Sequence, residues 1–198
     1  MRGARTAIRG GLAALSSDAP SISGPLASGL RDVVAELVGA KVVERALEGL
    51  PSDVRDHYRT FTAVEWVPIE TMEAVFTRIA RETGTDVASL HERVATVSIE
   101  RTMRTIWRVL LRFTSDAALV SRTPGVFARS YNRGRLLVEV PRPGRGEIAL
   151  VDWPNAPAWT LRATRIGVST VLRLAGRQDV RVDTTTTLTG ARYLATWR

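Results

Sequence analysis

Arg135-Leu136-Leu137-Val138-Glu139-Val140, Pro141-Arg142-Pro143-Gly144-Arg145-Gly146 and Glu147-Ile148-Ala149-Leu150-Val151-Asp152-Trp153 follow one another without a break, and this stretch decides the fold. The first six residues read as a strand, because branched and aliphatic side chains fill it and no helical period runs through it. Two prolines and two glycines in the next six can continue neither a helix nor a ladder, so they read as a turn. The last seven residues then return as an antiparallel partner, since a short turn joins strands only in that sense.

Downstream the pattern repeats around a helix. Pro154, Asn155 and Pro157 open a helix that runs to about Ala175, with Leu161, Ile166, Val168, Val171, Leu172 and Leu174 apolar and Gly176 as its stop. Asp179 to Thr186 alternates into a threonine run, Thr189-Gly190 turns, and Ala191 to Trp197 returns. The C-terminal third is therefore a ββαββ antiparallel sheet with a helix on its apolar face.

Upstream the period is helical. Residues 26–50 predict two consecutive helices or one kinked at Gly39, with Leu30, Val33, Val34, Leu37 and Val38 on one stripe and Val42, Val43, Ala46, Leu47 and Leu50 on the next. A short helix follows Pro51 and ends near Tyr58, residues 60–67 read as a strand or extended connector, and Pro68 starts a helix that stops at Gly84. A short helix near 86–94 precedes an amphipathic one over 96–113. On that second helix Ile99, Met103, Ile106, Leu110 and Phe113 oppose Arg101, Arg104, Arg108 and Arg112. The class is α+β: a flexible segment over 1–20, a helical half over 21–113 and a sheet half over 134–198 in a single domain.

The 198 residues suffice for one core, and 44% hydrophobic with 24% charged residues excludes disordered and fibrous chains. No apolar run has the length of a membrane span. The formal charge is +8, with Lys41 the sole lysine among the 28 basic residues. Between Arg101 and Arg145 stand ten arginines and two acids, Asp116 and Glu139, so this stretch holds the whole excess. Such a local field suits an anionic partner, although a solvated basic face has the same composition.

The sequence carries few of the residue patterns that chemistry requires. With no cysteine there is no disulfide, thiolate nucleophile or thiolate metal site, and nothing requires an oxidising compartment, which points to the cytoplasm. His57 and His91 are isolated and read as surface histidines, so no metal cluster is expected. Phosphate-binding glycine loops are absent, and no catalytic residue stands out, so the chain reads as a non-enzyme. The five tryptophans, Trp66, Trp107, Trp153, Trp159 and Trp197, are expected to pack in the core, the alternative being the lining of a ligand cavity between the two halves.

A helical N-terminal part followed by hairpin, helix and hairpin resembles the ligand-binding fold shared by haem nitric-oxide/oxygen sensor domains, the four-vinyl-reductase domain and vesicle-tethering subunits of the TRAPP complex. More closely, Gly39…Leu47…Leu50-Pro51, Trp66-Val67-Pro68, Arg122-Thr123-Pro124 and Ser130-Tyr131-Asn132-Arg133-Gly134-Arg135-Leu136 are similar to an uncharacterised myxobacterial paralogous family of about 200 residues. Haem sensors hold the propionates with a Tyr-x-Ser-x-Arg motif and carry an axial histidine on the preceding helix. Here Tyr131 and Arg135 match, Arg133 replaces the serine, and the preceding helix has no histidine. No cofactor is expected.

The resemblance implies a non-catalytic sensor or adaptor. Its ligand would be a small anionic or amphipathic molecule or an acidic protein surface, met by Arg101, Arg104, Arg108, Arg112, Arg129, Tyr131, Arg133 and Arg135. Trp107, Phe113, Trp153 and Trp159 would line a pocket. A nucleic-acid-binding module using the Arg101 to Arg145 stretch is the alternative, as is a homo-oligomer or a component of a larger assembly.

Overall fold

The computed structural model describes residues 19–103 and 115–198. The expected N-terminal segment 1–20 lies, but for its last two residues, outside these, as do Arg104, Trp107, Arg108, Arg112 and Phe113.

The described chain opens with strand β1 (Ser21–Ser23) and helices α1 (Gly24–Val38), α2 (Ala40–Glu48) and α3 (Ser52–Thr60). Gly39 sits at φ 90° between α1 and α2, a conformation that breaks one amphipathic stretch into two helices. Strand β2 (Trp66–Pro68) pairs antiparallel with β1, Ile22 opposite Val67, and leads into α4 (Ile69–Thr83), which ends on Gly84 at φ 65°. Helix α5 (Val87–Thr102) starts where the Asp86 carboxylate accepts the Ser89 N–H at 2.8 Å. It runs unbroken through Ala95 and Thr96, where the sequence pattern suggested two helices. Its buried face is Leu90, His91, Val94, Ala95 and Ser98, one stripe of a single helix.

Two short helices, α6 (Asp116–Ser121) and α7 (Thr123–Ser130), lead into the sheet half: β3 (Arg135–Arg142), β4 (Arg145–Val151), α8 (Ala158–Leu174), β5 (Arg181–Thr187) and β6 (Gly190–Thr196). All four strands pair antiparallel in the order β3-β4-β6-β5. The first hairpin is antiparallel as expected, with Val138 opposite Ile148 and Leu136 opposite Leu150 and a shift between Glu139 and Arg142 beside the turn.

Alternation along the strands sends Leu136, Ile148, Leu150, Ala191 and Tyr193 to one face, where they join Trp159 and Ile166 of α8 in the main core. That core continues through α5 into α4, α2 and α1, with Met72, Val75, Phe76 and Ile79 fully buried. A smaller cluster of Leu119, Leu172, Leu174, Ala195 and Trp197 closes the end near α6. Burying each large apolar side chain is worth about 1.5–3 kcal/mol, so the face of α8 is a principal source of cohesion between the halves. Trp66 departs from expectation: it is 46% exposed on β2.

Candidate functional site: the Tyr131 to Arg135 junction

Tyr131 to Arg135 is a second point, beside the α5–α8 packing, where the two halves are tied. Tyr131 forms an isolated bridge with Ile22, the central residue of β1. Asn132 completes the clamp: its Oδ1 accepts the Ser21 N–H at 2.8 Å, its Nδ2 donates to the Ala19 carbonyl at 2.8 Å, and its own N–H donates to the Ser21 carbonyl at 3.2 Å. An asparagine amide is suited to this because it offers an acceptor and a donor on one short side chain.

The Tyr131 ring is buried, stacked on Phe127 of α7 at 4.7 Å and edge-on to Trp153 at 6.1 Å. Burial raises its phenol well above the ordinary tyrosine range, so it stays protonated. Gly134 follows at φ 70°, and a side chain there would meet Leu150 Cδ1 at 2.9 Å and the Trp153 ring. Only glycine turns the chain into β3 without strain at that point.

The arginines have different fates. Arg101 donates both terminal nitrogens to Glu36 of α1, at 2.7 and 2.5 Å, and that fork holds the Glu36 carboxyl below the usual carboxylate range. Arg135 donates Nε to Asp152 at 2.5 Å, a pair well exposed to solvent. Arg145 binds Glu147 across one residue of its own strand. Arg129 lies exposed on α7 and Arg133 is half-buried. Arg122 and Arg142, also exposed, join Arg129 in having no ion pair among the described residues. The elements that carry these cations, α6, α7 and β3, pack against one another.

Trp153 and Trp159 are both buried, but apart. Trp153 packs against Tyr131, while Trp159 on α8 lies deep between α4 and α5. There His91 stacks flat on Trp159, and the Phe76 ring meets Trp159 edge-on at 4.9 Å. The surface position expected for His91 is therefore overturned: it is fully buried, and neither ring nitrogen has a hydrogen-bond partner. Burial, with the Arg162 charge adding to it, depresses its pKa to about 3, so it is neutral. The signal was its place beside Leu90 and Val94 on the α5 stripe.

The two best-defined hollows among the described residues are open surface depressions of about 350 Å³. One lies on the outer side of α5 at Ser89, Glu92, Arg93, Thr96 and Val97, and the other between Gly49 and Arg81 on α2 and α4. No group of three or more metal-ligating side chains comes together among the described residues, and no helix there is long and apolar enough to cross a membrane.

This arrangement, a helical half clamped to a ββαββ sheet, is the fold of H-NOX proteins. The chain superposes with a TM-score of 0.65 on the Fe(II) unliganded H-NOX protein from K. algicida, at 10% identity, covering 89% of this chain and 96% of that one. It superposes with a TM-score of 0.63 on an oxygen-binding H-NOX domain related to soluble guanylate cyclases, at 13% identity, covering 89% and 95%. No protein-family model matches the chain. The comparison with curated proteins gave no match either.

Haem is the group this fold implies, and the residues present do not fit it. Haem iron needs an axial donor. Of the two histidines, His57 sits on α3 edge-on to Phe61, and His91 is sealed between Trp159 and Phe76. Neither belongs to α6 or α7 or to the residues leading into them. At the propionate motif, Arg133 replaces serine and Arg135 is held by Asp152.

Proposed function

We propose that this chain is a non-catalytic, haem-free adaptor module of the sensor fold, which docks an acidic protein surface on the flank formed by α6, α7 and β3. The observation that carries this is the contrast among its arginines. Arg101, Arg135 and Arg145 are neutralised within the chain, whereas Arg122, Arg129 and Arg142 have no ion pair among the described residues. Unneutralised cations on one flank raise the local potential, and arginine forks match carboxylates well. The sequence adds Arg104, Arg108 and Arg112 to the basic residues of this stretch, and Arg133 and Tyr131 stand at the junction that leads into β3. A cytoplasmic setting belongs to this reading, because a chain with no cysteine needs no oxidising compartment.

A docking surface is favoured over an internal ligand site because Trp153 and Trp159 are occupied by ring partners and the described hollows are shallow. The test is fluorescence anisotropy with a labelled oligoglutamate at low and moderate salt. Binding that weakens as salt rises and is lost in the Arg122→Glu, Arg129→Glu double variant supports the reading. Saturable binding of inorganic phosphate or duplex DNA, with oligoglutamate failing to compete, replaces the protein partner by a small anion or nucleic acid. No binding of any of the three at low salt overturns it.

A further inference from the structure

The two edges of the sheet are treated differently. Among the described residues, strand β3 has α6 and α7 packed along it, whereas the helices and strands that β5 packs against extensively are β6 and α8. Natural sheets guard a free edge with proline, lysine, a bulge or a covering element. Residues 181–187 hold no proline and no lysine, and their pairing with β6 runs from Arg181 opposite Thr196 to Thr187 opposite Gly190 without a shift; a bulge lies just before them, where Gln178 and Arg198 exchange backbone bonds one residue out of that register and Asp179 sits at φ 51°.

Which backbone groups are free follows from the ladder. The Trp197 N–H donates toward the β4 side, to the Gly144 carbonyl at 3.0 Å, so the odd residues of β6 bond β4 and the even ones bond β5. By the β5–β6 register, Arg181, Asp183, Thr185 and Thr187 take those bonds. The N–H and C=O groups of Val182, Thr184 and Thr186 therefore point off the edge, and the Val180 C=O, opposite the inward Arg181 N–H across one peptide, points the same way. On the sheet face away from α8, Arg181 and Asp183 stand exposed, without an ion pair or side-chain hydrogen bond to any described residue.

We propose that β5 is an assembly edge at which a second copy of this chain adds its own β5, antiparallel and centred on Val182, making one continuous eight-stranded sheet. In that register Val182 faces Val182 of the partner subunit, the Val180 C=O faces the partner's Thr184 N–H, and about four backbone hydrogen bonds form. Arg181 then lies opposite the partner's Asp183, and Asp183 opposite the partner's Arg181, so two complementary charge pairs form across the dyad. Centring the pair on Asp183 would set two carboxylates against each other. Centring it on Thr184 gives about two more backbone bonds but leaves all four charges without a partner. Charge complementarity therefore selects both the occupant and the register.

Sedimentation velocity of the full chain, from low micromolar to several hundred micromolar, tests this. The wild type is expected to shift from monomer to dimer across that range. Thr184→Pro removes an outward N–H that β6 does not use, and is expected to stay monomeric with an unchanged circular dichroism spectrum. Arg181→Asp and Asp183→Arg should each weaken association roughly tenfold by placing like charges opposite one another, and the double exchange should restore it. This charge series decides the matter even if the proline variant does not fold. A monomer throughout, a dimer indifferent to both single charge changes, or a double exchange that fails to restore association overturns the proposal. A dimer that survives Thr184→Pro in a folded protein also overturns it.

Discussion

His91 and Trp159 lie face to face, their ring centroids 3.5 Å apart and their planes 11° from parallel. The pair joins α5 to α8 in the middle of the core, and Phe76 of α4 closes it edge-on to both rings. A histidine buried without a hydrogen-bond partner opposes folding whenever it must carry charge. Its presence makes the core sensitive to acid.

The sign of that sensitivity follows from linkage. His91 titrates at about 3 in the folded chain, below its ordinary value of 6.5, so the unfolded chain binds more protons between those values. Stability is complete above about pH 6.5 and falls as pH drops toward 3, by about 1.4 kcal/mol per pH unit at the steepest. Urea denaturation at a series of pH values should show this slope in the wild type. His91→Leu should flatten it, with stability at pH 4 equal to or above that of the wild type.

Trp159→Ala removes the largest fully buried side chain and strands His91 and Phe76 beside a void. The expected loss is about 3–5 kcal/mol, read as a shift in urea midpoint, with loss of the near-ultraviolet signal preceding loss of helix.

Asn132→Ala tests the clamp between the halves. It removes the acceptor for the Ser21 N–H and the donor to the Ala19 carbonyl. A loss of about 1–2 kcal/mol is expected, together with faster amide exchange confined to β1 and β2. Uniform exchange across the chain would contradict a local clamp.

Asp116 anchors α6 by accepting from Arg177 at 2.7 and 3.0 Å and from the Trp197 indole at 3.2 Å. Both charged side chains are largely buried, so Asp116→Ala should cost about 2 kcal/mol or more. The effect should persist in high salt, unlike that of the exposed Arg135–Asp152 pair, whose removal is expected to change stability by less than about 1 kcal/mol.

How much the residues declared in advance depended on the length of the pattern. The hairpin at 135–153 was legible because two aliphatic runs flank a Pro/Gly turn, and α8 because an apolar stripe runs from Trp159 to Leu174 between proline and glycine. Helices α6 and α7 went unread, since six and eight residues carry barely one or two turns of period and Thr123-Pro124-Gly125 looks like a loop. Strand β1 was missed because three residues acquire strand character only by pairing with β2, more than forty residues on. The motif at Tyr131 was visible, but the work of Asn132 was not: its partners are Ser21 and Ala19, remote in sequence. The basic stretch was legible as charge, whereas its division into neutralised and bare arginines depends on Glu36 and Asp152, which only the fold brings near.

The most direct test of a haem-free module in this fold is a titration of the purified full chain with haemin, followed in the Soret region. The account predicts absorbance that rises without a break at one equivalent and keeps the spectrum of unligated haemin, identically in wild type and His91→Leu. A sharp Soret band that saturates at one equivalent and is lost in a histidine variant would contradict it.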